Sequence, residues 1–300
     1  MSEVIVQKIR ELLRKRYVFP EIAEQVDKIL ADGLAADRYA AATTDAELAA
    51  LVTADLQQVN GDKHLRLLFH EEVLPEAADE SEAAQEAAFL AEMAQLAGRT
   101  ASGMHRVERL AGNVAYLDIQ PQLLPAVITA DAITAAMTLV ADADALLLDL
   151  RGCVGGDPTI VAHLLSYLFD DEETPLTSIY ERATDSTRQW WTQSAVPGRR
   201  FGGTKPVFVL IGPKTFSGGE QVVYDLKVTG RATLVGERTR GGAHPRIGVR
   251  LGDHLEATIP TARAVHPLTG TNWEGVGILP DVEVAADQAY DTAYALATAA

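Results

Sequence analysis

Apolar residues recur at helical spacing through residues 3–60: Ile5, Ile9, Leu12 and Leu13, then Ile22, Val26, Ile29 and Leu30, then Leu48, Leu51, Val52 and Leu56. Positions three and four apart lie on one face of a helix, so the pattern predicts three amphipathic helices that bury their stripes together. Pro20 separates the first two, and Thr44 followed by Glu47 predicts a capping box for the third. A small N-terminal helical bundle over residues 1–70 is the simplest account, ending in a turn and a short apolar run at 60–69.

The pattern then changes twice. Residues 71–97 are rich in Ala and Glu, with eight acidic side chains and no Lys or Arg, which predicts an exposed acidic helix or linker over 71–102. From residue 103 onward strand-like and helix-like segments alternate. "NVAYLDIQ" (113–120), "ALLLDLRG" (145–152), "PVFVLIG" (206–212) and "ATLVGE" (232–237) read as buried strands. Helices are expected over 128–143, over 158–169 and from Ser217, and "RIGVRLGDHLEATIP" (246–260) alternates about a turn as a hairpin does. Strands interleaved with helices predict an α/β domain over 103–300 with a largely covered sheet.

Composition narrows the function classes. A formal charge of −16 argues against nucleic acid and against anionic membrane surfaces, both of which recruit clustered Lys and Arg. One cysteine, Cys153, leaves no disulfide framework and no Cys-based zinc site. The first residues lack a continuous apolar stretch, and no apolar run is long enough to span a bilayer, so a cytoplasmic location is expected. The seven histidines show neither H-x-H nor H-E-x-x-H spacing, so no metal or other cofactor is expected.

Three stretches carry candidate chemistry. In "IGPKTFSGGE" (211–220) a strand turns into a helix at Ser217. Ser-x-x-Glu is a capping box, so a cap accounts for the serine on its own. Gly218 and Gly219 nevertheless let a reacting group approach the backbone, at a helix end whose unpaired N–H groups suit an oxyanion. In "DLRGCVGGDP" (149–158) a strand delivers Asp149 and Arg151, readable as a structural ion pair, into a turn with Gly152, Gly155 and Gly156. That turn lacks the Lys-Ser/Thr of a nucleotide loop and the spacing of a dinucleotide fingerprint. In "TGTNWEGVGILPDVEV" (269–284), Glu274 sits beside Trp273 in a turn and could orient a histidine or be a surface acid. A serine nucleophile needs a base, and His64 in "GDKHL" and His244 in "GGAHP" are the candidates. His70, His105, His163, His254 and His266 are taken as surface or core residues.

Taken in order, "GDKH", "NVAYLDI", "LLLDLRGCVGG", "KTFSGGEQVVYDLK", "ATLVGERTRGGAHP" and "VGILPDVEV" resemble the C-terminal processing (tail-specific) serine peptidases, most of all the branch similar to interphotoreceptor retinoid-binding protein. The resemblance covers most of the chain. It implies a crotonase/Clp-protease-like α/β core behind the N-terminal helical domain, and a serine-type peptidase acting on peptides or proteins. Ser217 matches the nucleophile, and the amide of Gly218 with that of Gly155 or Gly156 matches the oxyanion hole. Bacterial members use a Ser–Lys dyad, but Gly242 occupies the lysine position, which excludes that mechanism in this register. The tricorn-like branch uses a histidine and a glutamate instead, and His64 and Glu274 match them. His244 is the competing base, two residues beyond Gly242 and so on the same side of an extended segment. Too few residues separate His64 from the strand at 113 for a PDZ domain. The same resemblance implies an alternative: a non-catalytic module that binds a hydrophobic small molecule such as a retinoid or fatty acid. A homo-oligomer is compatible with either reading.

Overall fold

A computed structural model describes residues 2–75 and 82–299. The chain opens with α1 (Ser2–Arg16), α2 (Pro20–Ala35), α3 (Asp45–Leu56) and β1 (Arg66–Phe69). It continues through α4 (Glu82–Arg99), β2 (Met104–Leu110), β3 (Val114–Ile119), α5 (Ala126–Val140), β4 (Ala145–Asp149) and α6 (Pro158–Ser166). Next come β5 (Ser178–Glu181), β6 (Ser186–Arg188), β7 (Val207–Ile211), α7 (Gly218–Val228) and β8 (Thr233–Gly236). The remainder is β9 (Arg246–Arg250), β10 (Leu255–Pro260), β11 (Ala262–Val265), β12 (Val282–Glu283) and α8 (Ala289–Ala299). Of the acidic segment, expected over 71–102 as a helix or linker, residues 82–99 form α4, and residues 76–81 lie outside the described residues.

Contacts divide the chain into two compact units. The first comprises residues 1–80, 179–188 and 244–264; the second comprises 81–178, 189–243 and 265–300.

In the first unit the expected helical stripes are buried. Ile5, Ile9 and Leu13 of α1, Val26 and Leu30 of α2, and Leu48, Val52 and Leu56 of α3 share one core with Leu67, Leu255, Ala257 and Ile259. The helices therefore pack on a small sheet as well as on one another. That sheet has the order β1-β10-β9, and the expected hairpin is its β9–β10 pair, with Ala257 opposite Val249. Thr44 caps α3 as the sequence implies: its hydroxyl accepts the Glu47 N–H at 3.2 Å, and Glu47 accepts the Thr44 N–H at 3.3 Å.

The second unit is built on a six-stranded sheet in the order β12-β8-β7-β4-β3-β2. The run from β12 to β3 is parallel, and β2 closes one edge antiparallel to β3. Every residue of β3, β4 and β7 is buried, as expected for parallel strands covered on both faces. Alternate residues Val114 and Tyr116, Ala145 and Leu147, and Phe208 and Leu210 meet Ala289, Ala293 and Ala297 of α8. Parallel strands aim their carboxyl ends at one edge, where open α/β sheets place their ligand crevices. Connections leave that edge from β3 through Gln120, from β4 through the 150–157 turn, from β7 through residues 212–217 and from β8 through residues 237–243.

Candidate functional site

The turn after β7 is fixed before it reaches Ser217. The Thr215 hydroxyl donates to the Leu150 carbonyl at 2.9 Å and accepts the Gly212 N–H at 3.1 Å. The Phe216 N–H donates to the Cys153 carbonyl at 3.1 Å, which ties this turn to the glycine-rich turn after β4. Ser217 then adopts φ 51°, ψ −120°, immediately before the first residue of α7. A non-glycine residue held there costs about 1–3 kcal/mol, and such strain persists only where neighbours enforce it. It is the geometry of a sharp strand-to-helix turn that presents a side chain above the sheet edge. Ser217 is half-buried.

The glycines do what close approach demands. A Cβ on Gly218 would collide with the Gly156 carbonyl oxygen and nitrogen, so the two backbones are in direct contact. A Cβ on Gly155 would lie 3.8 Å from the Ser217 Cβ, and one on Gly219 would lie 2.9 Å from the Cys153 oxygen. Residues 155–157 are held from behind: Leu123 donates to the Gly155 carbonyl at 3.0 Å and accepts from Asp157 at 2.9 Å. Among the described residues, the N–H groups of Gly156 and Gly218 have no backbone acceptor. The structure thus brings together Ser217, Gly218, Gly155 and Gly156.

Glu220 organises this region more extensively than a cap requires. Its carboxylate is fully buried and accepts four hydrogen bonds. Oε1 takes the Thr239 hydroxyl at 2.5 Å and the Gly241 N–H at 2.7 Å; Oε2 takes the Gly242 N–H at 2.9 Å and the Ser217 N–H at 3.0 Å. Burial pushes this carboxyl up to about 7, against the opposing pull of its donors. The segment it holds is gripped from its other side too. Trp273 Nε1 donates to the Gly242 carbonyl at 2.8 Å, and Glu274 Oε2 accepts the Ala243 N–H. Gly242, at the position where a dyad lysine would stand, therefore has both backbone polar groups engaged. Glu274, half-buried, is an anchor for the 241–243 segment whatever else it does.

In the first unit, the two candidate histidines share Asp62. The His244 ring bonds Asp62 Oδ2 through Nδ1 at 2.7 Å, and the His64 backbone N–H donates to Asp62 Oδ1 at 3.0 Å. The Tyr17 hydroxyl adds a third bond at 2.9 Å and in turn accepts Asn60 Nδ2 at 2.8 Å. Burial alone would raise Asp62, but the His244 hydrogen bond and charge, the His64 amide and Tyr17 together hold it below the usual carboxylate range. His244 is 4% exposed and stands edge-on to Phe19, whereas His64 is half-buried, with its carbonyl fixed by the Thr258 hydroxyl at 2.6 Å. Asp62 was not among the candidates, although the acid two residues before His64 in "GDKH" was its signal.

Asp149 and Arg151 form the expected ion pair, with Arg151 Nη2 2.6 Å from Asp149 Oδ2 and the Tyr116 hydroxyl 2.7 Å from the same oxygen. They line a cavity of about 450 Å³ with Asp118, Gln120, Lys214 and Asp287. Of the remaining histidines, His163 and His266 are buried, while His70, His105 and His254 are at least partly exposed.

Three comparisons complete the picture. The description of Peptidase family S41 matches residues 113–284, and that of the N-terminal domain of this family in eukaryotic IRBP matches residues 2–100. Tricorn protease homolog 2 of Streptomyces coelicolor is 29% identical over 140 residues, covering 46% of this chain, and the match spans only 11% of that protein's length. A peptidase structure from Parabacteroides merdae superposes with a TM-score of 0.63 at 16% identity, over 99% of this chain and 96% of the other. The photosystem II D1 C-terminal processing protease gives a TM-score of 0.54 at 16% identity, over 95% and 94% of the two chains. At such identities the last two likenesses speak for the fold. No helix among the described residues is long and apolar enough to cross a membrane.

Proposed function

The chain belongs to peptidase family S41, and on that footing we propose that it is a serine peptidase in which Ser217 attacks the carbonyl carbon of a peptide bond. The observation that carries this reading is the backbone of Ser217, held at φ 51°, ψ −120° against the Gly155–Gly156 turn. In the proposed reaction a histidine takes the hydroxyl proton as the serine oxygen bonds to the carbonyl carbon. The amides of Gly218 and of Gly156 or Gly155 then donate to the oxyanion. Collapse breaks the C–N bond, and the histidine returns its proton to the leaving amine. Water, deprotonated by the same base, hydrolyses the acyl-enzyme.

His64 is the proposed base and Glu274 its proposed helper. His64 has its backbone fixed on both sides and is half-buried, whereas the ring of His244 is buried and committed at Nδ1 to Asp62. The carrier reading has a weaker basis. The cavity beside Asp149 is lined by charged groups that a retinoid or acyl chain would strip of water, at a cost in desolvation.

Labelling with a fluorophosphonate probe tests the proposal. Wild type is expected to label covalently, Ser217→Ala and His64→Ala to lose labelling, and His244→Ala to retain it. A wild type that does not react, or an Ser217→Ala variant that labels equally, refutes the serine. Loss confined to His244→Ala moves the base there. Saturable retinoid binding that is indifferent to Ser217→Ala supports the carrier.

A further inference from the structure

We infer that Glu220 is a positioning residue for Ser217: its carboxyl group holds the strained nucleophile turn and the 239–242 segment in one arrangement, and replacing it by an amide releases both. The inference rests on the reading of Ser217 as the nucleophile.

Its basis is the pattern of donors. Four groups converge on two oxygens: the Ser217 N–H, the Gly242 N–H, the Gly241 N–H and the Thr239 hydroxyl. Thr239 has a second partner, because its oxygen accepts the Ile278 N–H at 2.8 Å. An ionised carboxylate only accepts, so it satisfies all four donors at once. The amide of a glutamine must point at least one hydrogen at an N–H group that is itself donating. Turned one way the amide nitrogen faces the Gly241 N–H; turned the other, it faces the N–H groups of Ser217 and Gly242. Either choice leaves buried donors unpaired, and one of those that can be lost is the bond to the backbone of Ser217 itself. A strained conformation enforced by few contacts relaxes when one is removed.

The carboxylate has no counter-charge among the described residues. Asp225, further along α7, is turned to the Thr177 hydroxyl at 2.6 Å, and Arg238 donates to the Val276 carbonyl at 3.0 Å. Arg240 lies over the Phe216 ring, Cys153 Sγ faces the Gly155 carbonyl, and Glu274 is engaged with the Ala243 N–H. With four neutral donors and full burial, this carboxyl gains its proton near pH 7 rather than near 4.5. The arrangement is therefore titratable in the range where a histidine base also titrates.

The experiment measures the rate of fluorophosphonate labelling against pH for wild type, Ser217→Ala and Glu220→Gln, with melting curves for each. Glu220→Gln is expected to label on the order of tenfold to a hundredfold more slowly than wild type at alkaline pH, the scale of a small misplacement of a reacting group. Near pH 7, where Glu220 gains its proton, the wild-type profile is expected to carry an inflection that Glu220→Gln lacks. A wild type that labels through Ser217, beside a folded Glu220→Gln of equal rate and equal pH dependence, overturns the inference and leaves the serine reading intact. Absence of labelling in wild type overturns the serine reading, and the inference with it. Should Glu220→Gln not fold, Glu220→Asp carries the test, since it keeps the charge but falls a methylene short. Labelling within twofold of wild type in that variant overturns the inference, and a tenfold loss supports it.

Discussion

Asp62 shows how much a single buried carboxylate can hold. It is fully buried and bonded to one histidine ring, one backbone amide and one tyrosine hydroxyl. Removing a buried carboxylate leaves its donors unpaired in the interior, which typically costs about 1–3 kcal/mol. Asp62→Ala is thus expected to lower the free energy of unfolding by that order, as read by urea denaturation, and to free the His244 ring. At this scale the sequence was only partly legible. Ser217 and the glycines could be named because they are consecutive or lie in short motifs. Asp62 and His244 stand 182 positions apart and nothing local announces their meeting. Nor could the sequence show that the Glu of Ser-x-x-Glu accepts from Thr239, Gly241 and Gly242, since a capping box accounts only for the Ser217 amide.

Among the elements, legibility followed burial. The cores of β3, β4 and β7 are continuous apolar runs, and each was readable because both faces are covered. Strand β2, "MHRVERL", was missed: an edge strand with no fully buried residue carries charges that weaken the strand signal. The exposed β6 and the Ala-rich α8 were missed for kindred reasons, one lacking apolar residues and the other burying only small ones. The helix expected over 158–169 ends at Ser166, and the one over 128–143 runs from Ala126 to Val140, shifts of the size common at helix ends. The junction of α7 with the 155–156 turn carries its own prediction. Any side chain at Gly218 meets the Gly156 backbone, which cannot swing away as a side-chain tip could. Gly218→Ala is expected to cost about 1–3 kcal/mol in stability. It should also slow labelling at Ser217 by about tenfold or more, because the two turns must separate. Wild-type stability and rate in that variant would contradict this account of the junction.

For the molecule as a whole, buried acids set how stability responds to pH. Burial pushes both Glu220 and Asp225 up to about 7, so between their ordinary values and pH 7 the folded chain binds more protons than the unfolded one. Folding stability supplied by these two groups is complete below about pH 4, declines as pH rises toward 7, and is level above. Asp62 acts in the opposite sense: its contribution is present above its unfolded value and is lost as pH falls below it. Thermal melts from pH 4.5 to 7.5 should show a decline that is shallower in a folded Glu220→Gln, and equal slopes in the two proteins would refute this assignment.

Four successive residues, 241 to 244, each bond a carboxylate: Gly241 and Gly242 bond Glu220, Ala243 bonds Glu274, and His244 bonds Asp62. The segment has no regular secondary structure, yet three of its amide hydrogens are tied to buried or half-buried acceptors. In deuterium exchange such a loop behaves as though it were a strand. The amides of Gly241, Gly242 and Ala243 are expected to exchange as slowly as those of β7, since each opens only when its carboxylate lets go. In Glu220→Gln the first two should speed up while Ala243 stays slow, giving each acidic anchor a separate clock.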